Sequence, residues 1–387
     1  MDMSGLLEWL RGSLSSPEHR ARRIFRFLEP EQEQRFLREW RQRRKNDRSL
    51  QAVRRLGIIR AYTCALPDLE LPKAFSSSIA WEDDIRVSTH ALPKASRPRS
   101  GTVNGVPWGI RKVRAPEAWG LTTGHKVKIG VIDTGVDFQH PDLRHSLERG
   151  INLLQRTMLP SDDNGHGTHI AGTIAAANQL HGMIGVSPRA SIYPVKAFDH
   201  NGTAYVSDII LGIDWCVRNR MDVVNMSFGM RTRSRALLNA VTNAYRSGVL
   251  IVASSGNDGK QGEIDYPARY PNTVAVGATS RDGRIAAFTN RSSRIDVYAP
   301  GEKIDSCWLR GIRRSMSGTS MATSHVTGAV ALLLAHRPGL GPAEVKNLLR
   351  RSTRPLRPAR SPRLGGELDI MRLLRNADKK NRQGSLP

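Results

Sequence analysis

The sequence predicts an α/β fold, a parallel sheet with helices packed on both faces. Three observations carry this expectation. From Val106 onward, short apolar runs alternate with helix-length segments, the pattern of strands joined by crossover helices. The runs Val127–Ile132, Ser191–Ala197, Val223–Met226, Val249–Ala253 and Thr273–Val276 are nearly continuous in apolar residues. Strands buried on both faces read this way. Two of the intervening segments, 170–177 and 321–335, are built of small apolar residues and read as buried helices.

Each region follows from its own composition. Residues 1–49 read as a charged helical extension. Ser16 and Pro17 start a helix with Ile24, Phe25, Phe27 and Leu28 as its apolar stripe, and a second helix carries Phe36, Leu37 and Trp40. Residues 50–93 change to strand character, with Ile58, Ile59, Tyr62 and the stretch Ile79 to Val87 around a loop holding Pro67 and Pro72. Residues 94–105 have linker composition. The α/β domain is expected over 106–376, with helices at 166–177, 207–219 and 235–247, and a basic tail over 377–387.

Composition narrows the function classes. The chain of 387 residues is long enough for two or three folding units. Its net charge is +24, with 12 basic and 8 acidic residues in the first 50 and 10 against 3 over 351–387, so most of the excess lies between. A charge spread in this way reads as a solubilising surface or as adhesion to a polyanion. No nucleic-acid-binding motif accompanies it, so no specific nucleic acid is expected. Cys64, Cys216 and Cys307 are too few for a disulfide framework and have no metal spacing. Asp2 and Glu8 spoil the start as an export signal, and no apolar run is long enough to span a membrane. A soluble cytoplasmic monomer is the expectation, with extracellular or cell-surface placement by non-classical release as the alternative.

Three strings carry chemistry: Val-Ile-Asp-Thr-Gly at 131–135, Asn-Gly-His-Gly-Thr-His at 164–169 and Gly-Thr-Ser-Met-Ala at 318–322. They supply Asp133, His166 and Ser320, the carboxylate, imidazole and alcohol that nucleophilic acyl transfer needs. Asp133 ends a strand, where parallel sheets place their chemistry. His166 and Ser320 each open a helix. His166 and His169 stand three apart, but no third residue completes a zinc set.

In the order Asp, His, Ser, the chain resembles the subtilisin-like serine proteases, densely from about Val106 to Leu374. The resemblance implies a subtilisin-like sheet preceded by a small α+β, ferredoxin-like propeptide module at 50–93, to which Ile79-Ala-Trp-Glu-Asp-Asp-Ile-Arg-Val corresponds. It implies a serine endopeptidase acting on polypeptides through an acyl-enzyme. The enzyme would be made as a self-processing zymogen with its own propeptide as intramolecular inhibitor. Maturation would fall in the linker, where Lys94, Arg97 and Arg99 are available. Asn257 corresponds to the oxyanion asparagine, with the Ser320 backbone amide as second donor. Ser227-Phe-Gly229 and Gly202-Thr203-Ala204 correspond to the edges that pair with substrate as added strands.

The resemblance also places Asp265 near the base of the primary specificity pocket and Asp258 at its rim, which implies Arg or Lys before the scissile bond. The opposing expectation is an apolar pocket made by Phe228. No cofactor is required for the chemistry. A structural calcium would fall on Asn104, Asp142 and Gln179. Ser324 departs from the family, which has proline there, in the helix's first turn by this reading. The rival reading is a catalytically weak or dead relative that binds polyanionic partners.

Overall fold

The computed structural model describes residues 1–15, 20–67, 71–90, 105–178, 182–356 and 365–384. The expected linker at 94–105, with Lys94, Arg97 and Arg99, lies outside the described residues except for Gly105.

The chain opens as one α+β module that runs across the boundary expected at residue 49. Strands β1 (Arg20–Phe27), β2 (Arg54–Leu56), β3 (Ala61–Pro67) and β4 (Ile79–Asp83) form an antiparallel sheet in the order β2-β3-β1-β4. The segment read as a helical stripe is therefore a central strand, paired with β3 and β4 over Arg20↔Pro67 and Phe27↔Ile79. Its side chains alternate as a strand requires. Phe25 and Phe27 face the helices Met3–Ser15 and Pro30–Arg43, in a cluster with Phe36, Trp40 and Tyr62. Ile24 faces the other way and joins the core of the following domain. The strand is covered on both faces, which explains why Ile24 and Phe25 stand side by side and no simple strand alternation shows.

That domain is built on an all-parallel seven-stranded sheet. Its strands are β6 (Lys128–Asp133), β7 (Ile151–Asn152), β8 (Ser191–Lys196), β10 (Val223–Met226), β12 (Leu250–Ser254), β13 (Thr273–Thr279) and β14 (Val297–Pro300). The order is β14-β13-β12-β10-β6-β8-β7. Alternate residues feed two cores: Ile129, Val131, Leu250 and Val252 meet the helices His166–Ala175 and Thr319–His336, while Ile132, Ile251 and Ala253 meet Val206–Arg218 and Arg235–Arg246. No described helix is long and apolar enough to cross a membrane.

The two units join at helix ends. The helix Val206–Arg218 has no side-chain cap of its own, and the N-terminal module supplies one: Asp84 accepts from the Ser207 N–H at 2.8 Å. Glu82 accepts from Ser234 Oγ at 2.6 Å and from the Ala236 N–H at 3.1 Å, at the start of the neighbouring helix. Carboxylates at helix N-termini satisfy free amides and meet the positive end of the dipole. Arg22 reaches Asp84 at 3.3 Å and Asp208 at 3.4 Å, and Arg54 reaches Asp208 at 2.7 Å. The module's last strand, β5 (Arg86–Thr89), leaves its sheet and inserts antiparallel between β9 (Thr203–Tyr205) and β11 (Phe228–Gly229).

Candidate active site

Asp133 ends β6 at the carboxyl edge of the sheet, fully buried. Its Oδ1 accepts from the Thr134 N–H at 2.8 Å and from His166 Nδ1 at 2.7 Å, so the imidazole carries its proton on the nitrogen facing the carboxylate. His166 begins its helix and is also buried, and its Nε2 has no hydrogen-bond partner. Ser320 lies in the first turn of the helix packed against it. The Ser320 hydroxyl is not turned to His166. It lies 2.7 Å from the carbonyl oxygen of His90 and 2.9 Å from that of Ser227, and donates between them.

His90 was not anticipated from sequence. It directly follows β5, and its backbone N–H donates to the Ser227 carbonyl at 3.0 Å. Its own carbonyl accepts from Asn257 Nδ2 at 2.8 Å. The amide of Asn257 is fixed the right way round. Its Oδ1 accepts from the Thr319 N–H and from Thr319 Oγ1, both at 2.9 Å, and a backbone N–H can only donate. The Ser320 backbone N–H, the second expected donor, makes no hydrogen bond to this carbonyl. The two edge segments flank β5. Thr203 and Ala204 pair with Ser88 and Val87, the Gly202 carbonyl accepts from the Thr89 N–H at 3.1 Å, and Phe228 and Gly229 pair with Thr89 and Ser88. It is thus the carbonyl of His90 that lies against the Ser320 hydroxyl.

The His90 side chain fills a small pocket. Nδ1 lies 2.7 Å from Ser254 Oγ and Nε2 lies 2.9 Å from Asp265 Oδ2. A Cβ at Gly229 would stand 2.2 Å from the ring, so only glycine leaves room for it. Asp258 takes no part: it pairs with Arg231 at 3.2 Å. Phe228 does not line the pocket as an apolar wall, because its ring is buried against Phe198 with centroids 4.8 Å apart.

Two further expectations concern calcium and Ser324. Asn104 and Gln179 lie outside the described residues, and Asp142 is engaged within the chain. Its Oδ1 accepts from Asn178 Nδ2 at 2.9 Å, and its Oδ2 accepts from the Met183 N–H at 3.2 Å and from Arg313 at 3.0 Å. Oδ2, the oxygen with the Arg313 charge beside it, already holds two donors, which weakens it as a ligand for a cation. The nearby His140 and Cys307 add no metal site, since His140 uses both nitrogens, one facing the Ile312 carbonyl and the other accepting from the Asp142 N–H. Arg313 supplies the counter-charge instead. Calcium addition or EDTA should leave the melting temperature unchanged, whereas Arg313→Met, which leaves Asp142 buried and unpaired, should cost about 3 kcal/mol. Calorimetry with and without EDTA checks both. Ser324 lies in the second turn of its helix, not the first, and its hydroxyl donates back to the Met321 carbonyl at 2.7 Å. Unlike proline, it keeps its backbone N–H as a donor inside the helix.

Two further histidines sit beside the site, both fully buried. His169 Nε2 faces the carbonyls of Ile304 and Arg314, and its Nδ1 has no partner. His325 Nδ1 donates to the Met321 carbonyl, and its Nε2 has none. Burial, and for His169 also the neighbouring His166, lowers them to about 3 and about 4. Both fold neutral and unfold to ordinary histidines. The stability they confer is present above about pH 6.5 and is lost as pH falls through that value toward 4 and then 3, by roughly 1.4 kcal/mol per pH unit for each histidine. Urea unfolding between pH 7 and 4.5 should show this slope, and His325→Gln should cut it to about half, the share left to His169. An equal slope in the variant would count against the assignment.

The Subtilase family profile matches residues 124–382, two thirds of the chain. The chain belongs to the subtilase family. Among curated subtilases it is 44% identical to subtilisin E of Bacillus subtilis (strain 168) over 249 residues, 63% of this chain and 65% of that protein. It is 42% identical to an alkaline protease of Alkalihalobacillus alcalophilus over 284 residues, 73% and 70% of the two chains. It is 43% identical to a subtilisin of Bacillus pumilus over 249 residues, 63% of this chain and 90% of that one. The chain therefore spans slightly less than two thirds of the length of subtilisin E.

Proposed function

We propose that the protein is a serine endopeptidase made as a self-processing zymogen, with residues 1–90 as its inhibitory propeptide and the first cut between His90 and Ala91. One observation carries this reading: the carbonyl of His90, at the end of a strand added to both cleft edges, lies between Asn257 Nδ2 and Ser320 Oγ.

In this reading Ser320 Oγ attacks the carbonyl carbon of His90 and its proton passes to His166 Nε2, the nitrogen left without a partner. Asp133 holds the ring in the tautomer that can accept and stabilises the imidazolium. The oxygen of the tetrahedral intermediate takes its charge toward Asn257 Nδ2. Collapse breaks the bond to Ala91, whose nitrogen leaves with the proton from His166, and His90 remains as an ester on Ser320. Water, deprotonated by His166, then releases the His90 carboxylate. No metal or cofactor takes a step. The two helix caps and the β5 pairing survive the cut, so the module stays docked as an inhibitor until it is removed. Other polypeptides bind as β5 does, through backbone hydrogen bonds to the two edges, which favours extended or unfolded segments.

The test is N-terminal sequencing of the purified protein together with labelling by a fluorophosphonate. A mature chain beginning at Ala91 and an adduct on Ser320 are the expected results. A chain that takes no label, or one cut elsewhere, would overturn the reading.

A further inference from the structure

The pocket that holds His90 is built for an imidazole. We propose that the enzyme cleaves preferentially after histidine, in its own chain and in other polypeptides, and that Asp265 sets this preference together with Ser254 and Gly229. The proposal rests on the endopeptidase reading above.

Both ring nitrogens of His90 are engaged, on opposite sides of the ring. A carboxylate only accepts, so Nε2 carries a proton toward Asp265. A serine hydroxyl donates or accepts, so Ser254 suits Nδ1 whether or not that nitrogen is protonated. The pocket therefore takes the imidazole neutral or charged. Asp265 is 9% exposed, and the His90 ring is the only side-chain partner of its carboxylate among the described residues. An aromatic or aliphatic side chain in the same place would leave a buried carboxylate unpaired.

Size supplies the second criterion. The ring lies against the backbone of Gly229, where a Cβ would be 2.2 Å from Cε1 and 2.5 Å from Nε2. Gly256 closes behind the carboxylate, where a Cβ would be 2.6 Å from Asp265 Oδ2. With Nε2 already 2.9 Å from that oxygen, an extended Arg or Lys, whose charged nitrogen lies further from the backbone, overruns the pocket floor. The acidic pocket expected to favour Arg or Lys is acidic, but its depth is that of histidine.

The experiment compares kcat/KM of the processed enzyme on matched peptides carrying His, Arg or Phe before the scissile bond, for the parent, Asp265→Asn and Asp265→Ala. The parent should favour His over Arg and over Phe by about 10–100-fold, the scale of one charge-assisted hydrogen bond gained or a buried charge left unpaired. Both variants should lose most of the His-over-Phe ratio. Equal or faster cleavage after Arg or Phe by the parent would overturn the proposal, as would an unchanged ratio in two folded variants. An enzyme that takes fluorophosphonate on Ser320 but does not turn over the His peptide also overturns it. Absence of label would instead overturn the endopeptidase reading.

Discussion

Ser320→Ala is expected to abolish peptide hydrolysis and to leave the chain intact between His90 and Ala91. The same oxygen serves both reactions in the proposed mechanism, because the chain's own carbonyl already lies 2.7 Å from it. The loss should be about 10⁶-fold in kcat, the cost of removing this nucleophile in subtilisin. The variant should fold normally. The hydroxyl donates only to backbone carbonyls, and the His90 carbonyl keeps its bond from Asn257. Gel mobility and intact mass of the variant, purified without other proteases, make the measurement. A variant that still matures would separate cleavage from Ser320 and defeat self-processing. The uncut variant is also the material for the acid-unfolding experiment, since it cannot digest itself.

The parts of the site that lie within short strings were legible in the sequence. Asp133 follows a continuous apolar strand, and His166 and Ser320 open helices of small residues, so each position could be read locally. Asn257 and the two edge segments were placed by resemblance; Asn257 donates to the His90 carbonyl, and the edges pair with β5, the strand that leads to it. The sheet was legible for a similar reason. Five of its seven strands are apolar runs; of the two unread ones, Ile151–Asn152 has only two residues, and Val297–Pro300 is an edge strand that ends in proline.

What stayed hidden depends on distant partners. β1 packs Phe25 and Phe27 on one face and Ile24 on the other, and the second face exists only because another domain covers it. Alternation of apolar with polar residues, the usual mark of a strand, is lost where both faces are buried. Arg313 meets Asp142 across 171 positions, so the counter-charge of this carboxylate could not be read locally. His90 belongs to one folding unit and its pocket to another. The acids of the pocket loop were visible, but the side chain that measures the pocket was not, because nothing local marks it.

Asp133→Asn should lower kcat on the order of 10⁴-fold with little change in KM, the scale known for losing this carboxylate in subtilisin. The geometry explains the size of the effect. Oδ1 is pinned by the Thr134 N–H, so an asparagine would keep its carbonyl there and could still accept from His166 Nδ1. The tautomer of His166 would then survive. Two things would not. The negative charge that stabilises the imidazolium would be gone, and in a site this buried that charge is poorly screened. The new amide would also sit where Oδ2 now lies, a buried atom with no hydrogen-bond partner, and would bring two unsatisfied donors to the catalytic edge of the sheet. The variant should therefore still take up substrate along the cleft edges, react slowly with fluorophosphonate and mature slowly. Stopped-time cleavage of a His-containing peptide gives kcat and KM, and circular dichroism checks the fold. A loss smaller than about 10-fold in kcat would mean that His166 is held and charged by something other than Asp133.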